Sequence, residues 1–213
     1  MEHEFNTAFL HPFTMIVSGN SGCGKTFFTK AMIENRVDPE LKRVFWFYGE
    51  WQSGYADMPS NVQMIPGMPT SLDKYLDTDD GAKAFVFDDL MAECVDNRML
   101  ADAFTKKRHH RNVSVILLVQ NLFCQGKVMR TVHLNTEYLI LFGNTRDKSQ
   151  FYHLARQIEP HNSRRIIEAY VDATTEPFSH FLVDLKPMTP NALRYRSKSL
   201  SDTEQYVYIV NGV

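Results

Sequence analysis

The sequence contains few cysteines and no excess of either charge. Its 213 residues include three cysteines, Cys23, Cys94 and Cys124, and no two of them form a Cys-x-x-Cys pair. This spacing argues against a cysteine zinc site and against structural disulfides, and it favours a reducing compartment. The 23 Lys and Arg residues nearly balance the 25 Asp and Glu residues, which gives a net charge of −2. Binding of a polyanion would therefore require a local basic patch.

Long apolar segments are also lacking. No stretch has the length and apolar content of a membrane span, and residues 1–5 have neither the basic nor the apolar part of a secretion signal. We therefore expect a soluble intracellular protein that is not secreted. The apolar content of 44% and the charged content of 23% are ordinary for a globular protein. A chain of this length suits a single domain over 1–213, with a polar C-terminal extension from about residue 187 to 213.

Short apolar runs alternate with segments that can form helices. The runs are rich in β-branched and aromatic residues with little alternation, which is typical of strands covered on both faces of a parallel sheet. This order predicts an α/β fold, in which a doubly wound, mainly parallel sheet is flanked by helices. The predicted strands cover 14–18, 44–48, 62–65, 84–87, 113–119, 138–142 and 181–185, and the predicted helices cover 27–36, 92–108, 127–135, 146–158 and 162–173.

A glycine-rich motif follows the first predicted strand and precedes the first predicted helix. Strand, loop and helix together can direct backbone N–H groups and a helix N-terminus at a polyphosphate. In such a motif Lys25 would contact the β- and γ-phosphates, and Thr26 would ligate Mg²⁺. The motif therefore predicts binding of a nucleoside triphosphate, ATP, whereas the alternative is a flexible turn with a solvated lysine. It matches G-x-x-x-x-G-K-[ST], the Walker A pattern, and consists of Gly19, Asn20, Ser21, Gly22, Cys23, Gly24, Lys25 and Thr26.

Two adjacent carboxylates, Asp88 and Asp89, end the apolar run over 84–87. An apolar strand that ends in this way has the Walker B form, and ligands bind at the carboxyl ends of the strands in such sheets. Asp88 would hold Mg²⁺ through water, and Asp89 would orient or deprotonate an attacking water. A solvated turn at the end of the strand is the alternative interpretation.

A carboxamide, Gln120, follows the next predicted strand. It could sense the γ-phosphate and position water, because an amide donates and accepts hydrogen bonds without charge; a capping or turn role is the alternative. Just upstream, residues 106–111 read KKRHHR, the densest positive patch of the chain. This patch is either a solvated helix end, which the helix dipole favours, or a surface for phosphate contact. His109 and His110 have no Cys or His partner at ligand spacing, so we expect no zinc.

Taken in order, these motifs resemble the FtsK/HerA superfamily of ATPases. Within it, the sequence is most similar to the genome-packaging ATPases of eukaryotic double-stranded DNA viruses, of the poxvirus type and from virophages and polinton-like elements. The resemblance implies an additional-strand (ASCE) P-loop NTPase, in which the strand ending at Gln120 lies between the Walker A and Walker B strands. Asp89 departs from the pattern, because many members have Glu there. The resemblance covers roughly residues 10–200 and includes Pro12-Phe13-Thr14, GNSGCGKT, FVFDDL, RHHRNVSVILLVQN and YLILF.

The resemblance also implies an activity and partners. It implies an ATPase that hydrolyses ATP to ADP and phosphate while translocating double-stranded DNA, through sequence-independent contacts with backbone phosphates. Such enzymes form homo-oligomeric rings, hexamers or pentamers, in which an arginine of the neighbouring subunit completes each site. Arg111 is the first candidate, followed by Arg108 and Arg146. Capsid vertex proteins are candidate partners, and the location would be the cytoplasm or nucleus of a host cell, or the virion.

Two other functions are compatible with a phosphate-binding loop. A small P-loop kinase would transfer phosphate to a nucleoside or nucleotide, and it would need an acceptor pocket and typically an arginine-rich lid. The Asp-Asp pair and the Gln120 strand favour water as the acceptor instead. The second alternative is a nucleotide-dependent interaction module of a capsid or partition assembly, which DNA-stimulated turnover would distinguish from a translocase.

Overall fold

The computed structural model describes residues 7–76, 81–94, 97–107, 112–123, 126–144, 146–201 and 204–210. Most of its strands form one sheet with helices on both faces. The strands are β1 Phe9–Leu10, β2 Thr14–Ser18, β3 Val37–Asp38, β4 Arg43–Tyr48, β5 Val62–Pro66, β6 Lys83–Asp88, β7 Val113–Val119, β8 Tyr138–Phe142, β9 His180–Asp184, β10 Tyr195–Ser197 and β11 Tyr206–Val207. The helices are α1 Lys25–Asn35, α2 Met91–Cys94, α3 Arg98–Asp102, α4 Lys127–Leu134, α5 Ser149–Ile158 and α6 Ser163–Ala173.

Within the described residues the main sheet has nine strands, in the order β11-β10-β9-β8-β2-β7-β6-β4-β5. The strands from β8 to β5 in this order pair in parallel, and β9, β10 and β11 continue the sheet in antiparallel pairing. The strand that precedes Gln120, β7, lies between β2 and β6, so this expectation of the additional-strand type is confirmed. The predicted α/β P-loop fold is confirmed with it.

The sheet is apolar on both faces, which explains why its strands lack alternation. On one face, α1 buries Phe28, Met32 and Ile33 in a cluster with side chains of β2 and β4. On the other face, α3 to α6 bury a second cluster against the same strands. Central residues such as Ile16 and Phe87 have no exposed surface. The helices on the two faces thus cover the central apolar strands. The polar motifs follow the carboxyl ends of these strands.

The largest difference from the sequence-based expectation lies between 92 and 108. A single helix was expected there, but α2 ends at Cys94 and α3 begins at Arg98, followed by a π-helical turn over Ala103–Lys107. Asn97 starts the new helix, because its side-chain oxygen accepts a hydrogen bond of 3.0 Å from the Met99 backbone N–H. An N-cap of this kind begins a helix rather than continuing one.

The segment beyond residue 187 contributes β10 and the edge strand β11. A buried ion pair joins β10 to β9, since Arg196 Nη2 lies 3.2 Å from Asp184 Oδ2 and both side chains are nearly inaccessible. Two further short strands, β1 and β3, pair in parallel outside the main sheet, and the sequence pattern did not indicate them. None of the helices in the described ranges has the length and apolar character needed to span a bilayer.

Candidate nucleotide-binding and catalytic site

The glycine-rich loop turns the chain from the end of β2 into α1. Gly22 and Gly24 have φ angles of 76° and 104°, which lie in the left-handed region that residues with a Cβ rarely adopt. Gly24 is the N-cap of α1, and its carbonyl accepts a hydrogen bond of 2.8 Å from the Phe28 N–H. The two glycines thus permit the tight turn that points the N-terminus of α1 into a cavity.

Gly19 is required for a different reason. A Cβ at this position would lie 2.7 Å from Phe142 Cβ and 2.5 Å from Cys23 Sγ, closer than such atoms approach in proteins. The Gly19 N–H also donates to the Val119 carbonyl at 3.1 Å. The first glycine of the motif therefore lets the loop pack between the ends of β7 and β8.

The Lys25 ammonium group lies inside the loop. Its Nζ donates to the carbonyl oxygens of Gly19 and Asn20 at 2.6 and 3.0 Å. The Asn20 side chain donates to Asn144 Oδ1 at 3.3 Å, which ties the loop to the segment after β8. A positive charge is therefore positioned at the N-terminus of α1, where the helix dipole already favours an anion.

Asp88 is buried at the end of β6 and accepts two side-chain hydrogen bonds on the same oxygen. Tyr55 Oη donates to Asp88 Oδ2 at 2.8 Å, and Thr26 Oγ1 donates to it at 3.2 Å. Burial raises the pKa of Asp88, and these two donors act in the opposite direction. Burial and the neighbouring carboxylate likewise raise the pKa of Tyr55, so its hydroxyl stays protonated and remains a donor.

Asp89 has an environment opposite to that of Asp88. Its side chain is exposed, and its backbone has a φ of 57° in the left-handed region, where Asp and Asn are enriched among residues other than glycine. Its carbonyl oxygen packs so closely against Gly49 that a Cβ on Gly49 would overlap it. The Gly49 N–H donates to the Asp88 carbonyl at 3.1 Å. A sharp turn after β6 thus separates a buried carboxylate from an exposed one.

A cavity of about 500 Å³ brings eight of the predicted site residues together. The carboxyl ends of β2, β7 and β6 are adjacent, because Ser18 pairs with Val119 and Asp88 pairs with Leu118. This register places the loop, the two carboxylates and the carboxamide around one space. The predicted site residues that line it are Ser21, Gly22, Gly24, Lys25, Thr26, Asp88, Asp89 and Gln120.

The remaining predicted site residues lie elsewhere or outside the described residues. Gly19 and Asn20 contribute their carbonyl oxygens to Lys25, and Cys23 borders a neighbouring cavity behind the loop. Arg146 is exposed after β8, where its N–H donates to Asn144 Oδ1 at 2.9 Å. Arg108 and Arg111 lie outside the described residues.

The sequence reasoning missed several residues that line the cavity, most of them from the segment after β4. Gln52, Gly54 and Asp57 come from this segment, and Lys30 comes from α1. Tyr55, on a 3₁₀ turn over Ser53–Tyr55, contacts Trp46, Tyr48 and Trp51 in an aromatic cluster. The signal available in the sequence was the clustering of aromatic residues in and directly after β4, ahead of a Gly-containing connection.

The oxygen atoms of this site fit a magnesium ion held jointly with a nucleotide. Thr26 Oγ1 and Asp88 Oδ2, which lie 3.2 Å apart, are the hard oxygen ligands that Mg²⁺ prefers. In the described part of the chain, no group of three or more His, Cys, Asp or Glu side chains could hold a metal unaided. The donor set thus suits Mg²⁺, which usually takes one or two protein ligands, substrate phosphates and waters.

Tyr55→Phe tests the hydrogen bond to Asp88. The variant removes one donor from a buried carboxylate, so Asp88 loses orientation and part of the stabilisation of its charged form. We expect the Mg²⁺ concentration for half-maximal nucleotide binding to rise about tenfold, while binding in EDTA stays unchanged. Calorimetric titration with and without Mg²⁺ measures both quantities.

Tyr48→Phe is the matched control, because the Tyr48 ring packs against Tyr55 within the same aromatic cluster. It should leave the Mg²⁺ requirement at the wild-type value. An equal change in both variants would indicate an effect of the aromatic cluster as a whole and would contradict a specific role of the Tyr55 hydroxyl.

Comparison with solved structures identifies proteins of the same fold. The genome-packaging NTPase B204 from Sulfolobus turreted icosahedral virus 2, in complex with sulfate, superposes with a TM-score of 0.57 at 13% identity, over 84% of this chain and 94% of that chain. Its complex with ATP-gammaS gives 0.56 at 12% identity, over 83% and 94%. The DNA-packaging ATPase B204 from Sulfolobus turreted icosahedral virus gives 0.57 at 12%, over 82% and 94%.

A secretion ATPase shares the fold as well. The cytoplasmic domain of the type VII secretion ATPase EccC from Thermomonospora curvata superposes with a TM-score of 0.52 at 14% identity, over 83% of this chain and 24% of that chain. No protein-family model and no curated protein matches the sequence. At these identities the similarity establishes the fold. The chain thus has the P-loop fold that B204 and EccC share, as its motifs predicted.

Proposed function

We propose that this protein is an ATP-hydrolysing double-stranded DNA translocase that packages a viral or virus-like genome into a capsid. The observation that carries the proposal is the cavity at the carboxyl edge of the sheet, which combines Lys25, Thr26, Asp88, Asp89 and Gln120. The fold of B204, a genome-packaging ATPase, supports the packaging role. The solved complex of B204 with ATP-gammaS supports a nucleotide as the ligand.

The phosphate-binding step follows from the loop. The N-terminus of α1 and the backbone N–H groups of the loop attract the phosphates of ATP, and the Lys25 ammonium exchanges its contacts with the Gly19 and Asn20 carbonyls for phosphate oxygens. Thr26 and Asp88 would hold Mg²⁺, which would supply positive charge to the phosphates. Tyr55 holds the Asp88 carboxylate in place, because it donates to the same oxygen as Thr26.

The hydrolytic step uses the two polar groups that are exposed to the cavity. Asp89 accepts the proton of an attacking water, and Gln120 orients that water by donating and accepting hydrogen bonds. Because the Asp89 side chain is shorter than Glu, the left-handed turn that carries it determines how far its carboxylate reaches. The two carboxylates thus have different roles: the buried Asp88 would hold the metal, and the exposed Asp89 would accept the proton of the water.

The transition state requires further positive charge, which a ring would supply from a neighbouring subunit. Arg111 is our first choice for this arginine, and Arg108 and Arg146 are the alternatives. The motor would contact DNA of any sequence through backbone phosphates, with the basic segment 106–111 as a candidate surface. Its partners would be double-stranded DNA, identical subunits in a hexamer or pentamer, and capsid vertex proteins in the host cell or virion.

DNA-stimulated hydrolysis tests the proposed function. We expect ATP turnover to rise on addition of double-stranded DNA of unrelated sequences, and this stimulation to fall steeply as the salt concentration increases, because phosphate contacts release counterions. Phosphate release with and without DNA measures it, with Lys25→Ala as the inactive control. A rate of phosphate release that DNA does not change at low salt would contradict a translocase. Transfer of phosphate to a nucleoside instead of water would contradict it as well.

Asp88→Asn and Asp89→Asn test the division of labour between the carboxylates. Asp89→Asn should bind Mg²⁺ and ATP normally yet lose nearly all hydrolysis, because an amide cannot accept the proton of water. Its fold should persist, since Asn tolerates the left-handed backbone at this position. Asp88→Asn should instead weaken Mg²⁺-dependent binding. Identical behaviour of the two variants in binding and hydrolysis assays would show that the roles are not divided.

Mixing of inactive subunits tests the arginine supplied in trans. Arg111→Ala subunits should bind ATP through their own loop but fail to complete a neighbouring site, whereas Lys25→Ala subunits lack ATP binding but retain Arg111. Mixed rings contain some interfaces with an intact loop and an intact arginine, so partial hydrolysis should return. If mixtures with Arg108→Ala or Arg146→Ala regain hydrolysis and mixtures with Arg111→Ala do not, the residue that recovers is the arginine supplied in trans. A monomer that hydrolyses ATP at the full rate would contradict the ring.

A further inference from the structure

A second cavity, lined by aromatic rings, adjoins the phosphate loop. It has a volume of about 450 Å³, within the range of about 300–1,000 Å³ that is typical of small-molecule sites. Two of its rings, Phe27 and Phe178, are 75% and 71% exposed. Both rings line the same cavity, and contiguous exposed apolar surface is a recognised feature of binding sites. The lining residues are Gly24, Phe27, Phe28, Phe142, Phe178, His180 and Leu200.

The backbone around Phe178 directs its ring over the loop. Phe178 has a φ of 64°, in the left-handed region that a bulky residue rarely adopts. The turn that holds it is closed by Ser179, whose N–H and hydroxyl donate to the Glu176 carbonyl at 3.2 and 2.6 Å. As a result, Phe178 Cδ1 lies 3.5 Å from the position that a Cβ on Gly24 would occupy. The ring thus covers the start of α1 at van der Waals distance.

The inner wall of the cavity is rigid and uncharged. The Phe28 ring packs edge-on against His180 and Phe142, with centroids 4.6 and 6.2 Å apart. His180 Nε2 lies 2.7 Å from Ser199 Oγ, and burial lowers the pKa of His180 to about 4. The imidazole is therefore neutral near pH 7, and the wall presents apolar rings rather than a charge.

The aromatic cavity lies next to the phosphate cavity. Gly24 and Phe27 line both of them. Phe27 directly follows Thr26, so it borders the proposed phosphate site as well as the aromatic cavity. A nucleotide whose phosphates contact Lys25 in the first cavity could therefore extend its base toward the second.

We propose that the aromatic cavity is the nucleobase site, in which the base stacks on Phe178 and Phe27 forms the second wall. This inference rests on the proposed function, because it takes the phosphate position from the loop. Stacking recognises the flat face that every base has, and it increases with ring area. The cavity therefore selects purine over pyrimidine nucleotides, and the contribution of Phe178 is equal for ATP and GTP.

The test compares ligands with and without a base. Wild type, Phe178→Ala and Phe27→Ala are titrated with non-hydrolysable analogues of ATP, GTP and CTP and with inorganic tripolyphosphate, all with Mg²⁺. We expect Phe178→Ala to weaken both purine analogues about tenfold, to weaken the CTP analogue less, and to leave tripolyphosphate binding unchanged. Phe178→Tyr, which keeps an aromatic ring, should bind all four ligands like wild type.

The outcomes separate this inference from the proposed function. If the wild type binds tripolyphosphate and ATP, but both alanine variants retain full affinity for the purine analogues, the nucleobase assignment is wrong and the ATPase proposal survives. Equal loss of tripolyphosphate and nucleotide affinity in Phe178→Ala would also overturn the assignment, since it would show damage to the loop. A changed oligomeric state with unchanged nucleotide affinity would assign the rings to a contact between subunits. If the wild type binds neither ligand, both proposals fail.

Discussion

The parallel pairing of β7 with β2 on one side and with β6 on the other is the constraint on which the site depends. It places Ser18 beside Val119 and Asp88 beside Leu118, so three chain segments that are distant in sequence end at one edge. Each segment continues into a polar motif because the chain must leave the apolar sheet at that point. Any slip in register would move Asp88 away from Thr26, and the hydrogen bond of 3.2 Å between them would be lost.

The same edge of the sheet also stabilises the buried carboxylate of Asp88. Asp88 is only 3% exposed, and a charge in such a place is stable only when hydrogen bonds replace its hydration. Hydrogen bonds to charged groups contribute about 1.5–3 kcal/mol each, so the two donors, Tyr55 and Thr26, offset a substantial part of that cost. One of them belongs to the phosphate loop and the other to the connection after β4. A single oxygen atom of Asp88 therefore joins the loop to that connection.

The sequence predicted the parts of the site that are local in the chain. The glycine loop, the Asp-Asp pair and Gln120 each follow a strand directly, so strand prediction together with the rule that ligands bind at carboxyl ends located them. The prediction that β7 lies between β2 and β6 came from the family resemblance, because local periodicity does not encode the order in which strands pair. The break between α2 and α3 was missed because its cause, the side-chain cap of Asn97, is one hydrogen bond within an otherwise helical pattern.

Features built from distant segments could not be predicted in this way. Tyr55 reaches Asp88 across 33 positions, and Phe178 covers Gly24 from a turn that follows the last helix. Neither residue has a recognisable motif, since a tyrosine or phenylalanine in a connection is ordinary by composition. Their placement depends on tertiary packing, Tyr55 through an aromatic cluster and Phe178 through a left-handed turn.

Local motifs and tertiary packing therefore supply different parts of the same chemistry. The local motifs carry the groups that we propose contact phosphate, metal and water, and a short pattern can encode these groups. Groups placed by packing hold the Asp88 carboxylate through Tyr55 and build an aromatic wall beside the loop. These groups come from segments that can vary without disturbing the sheet. A chain only 13% identical to B204 can thus keep the same fold, because the fold depends on the apolar sheet and not on its connections.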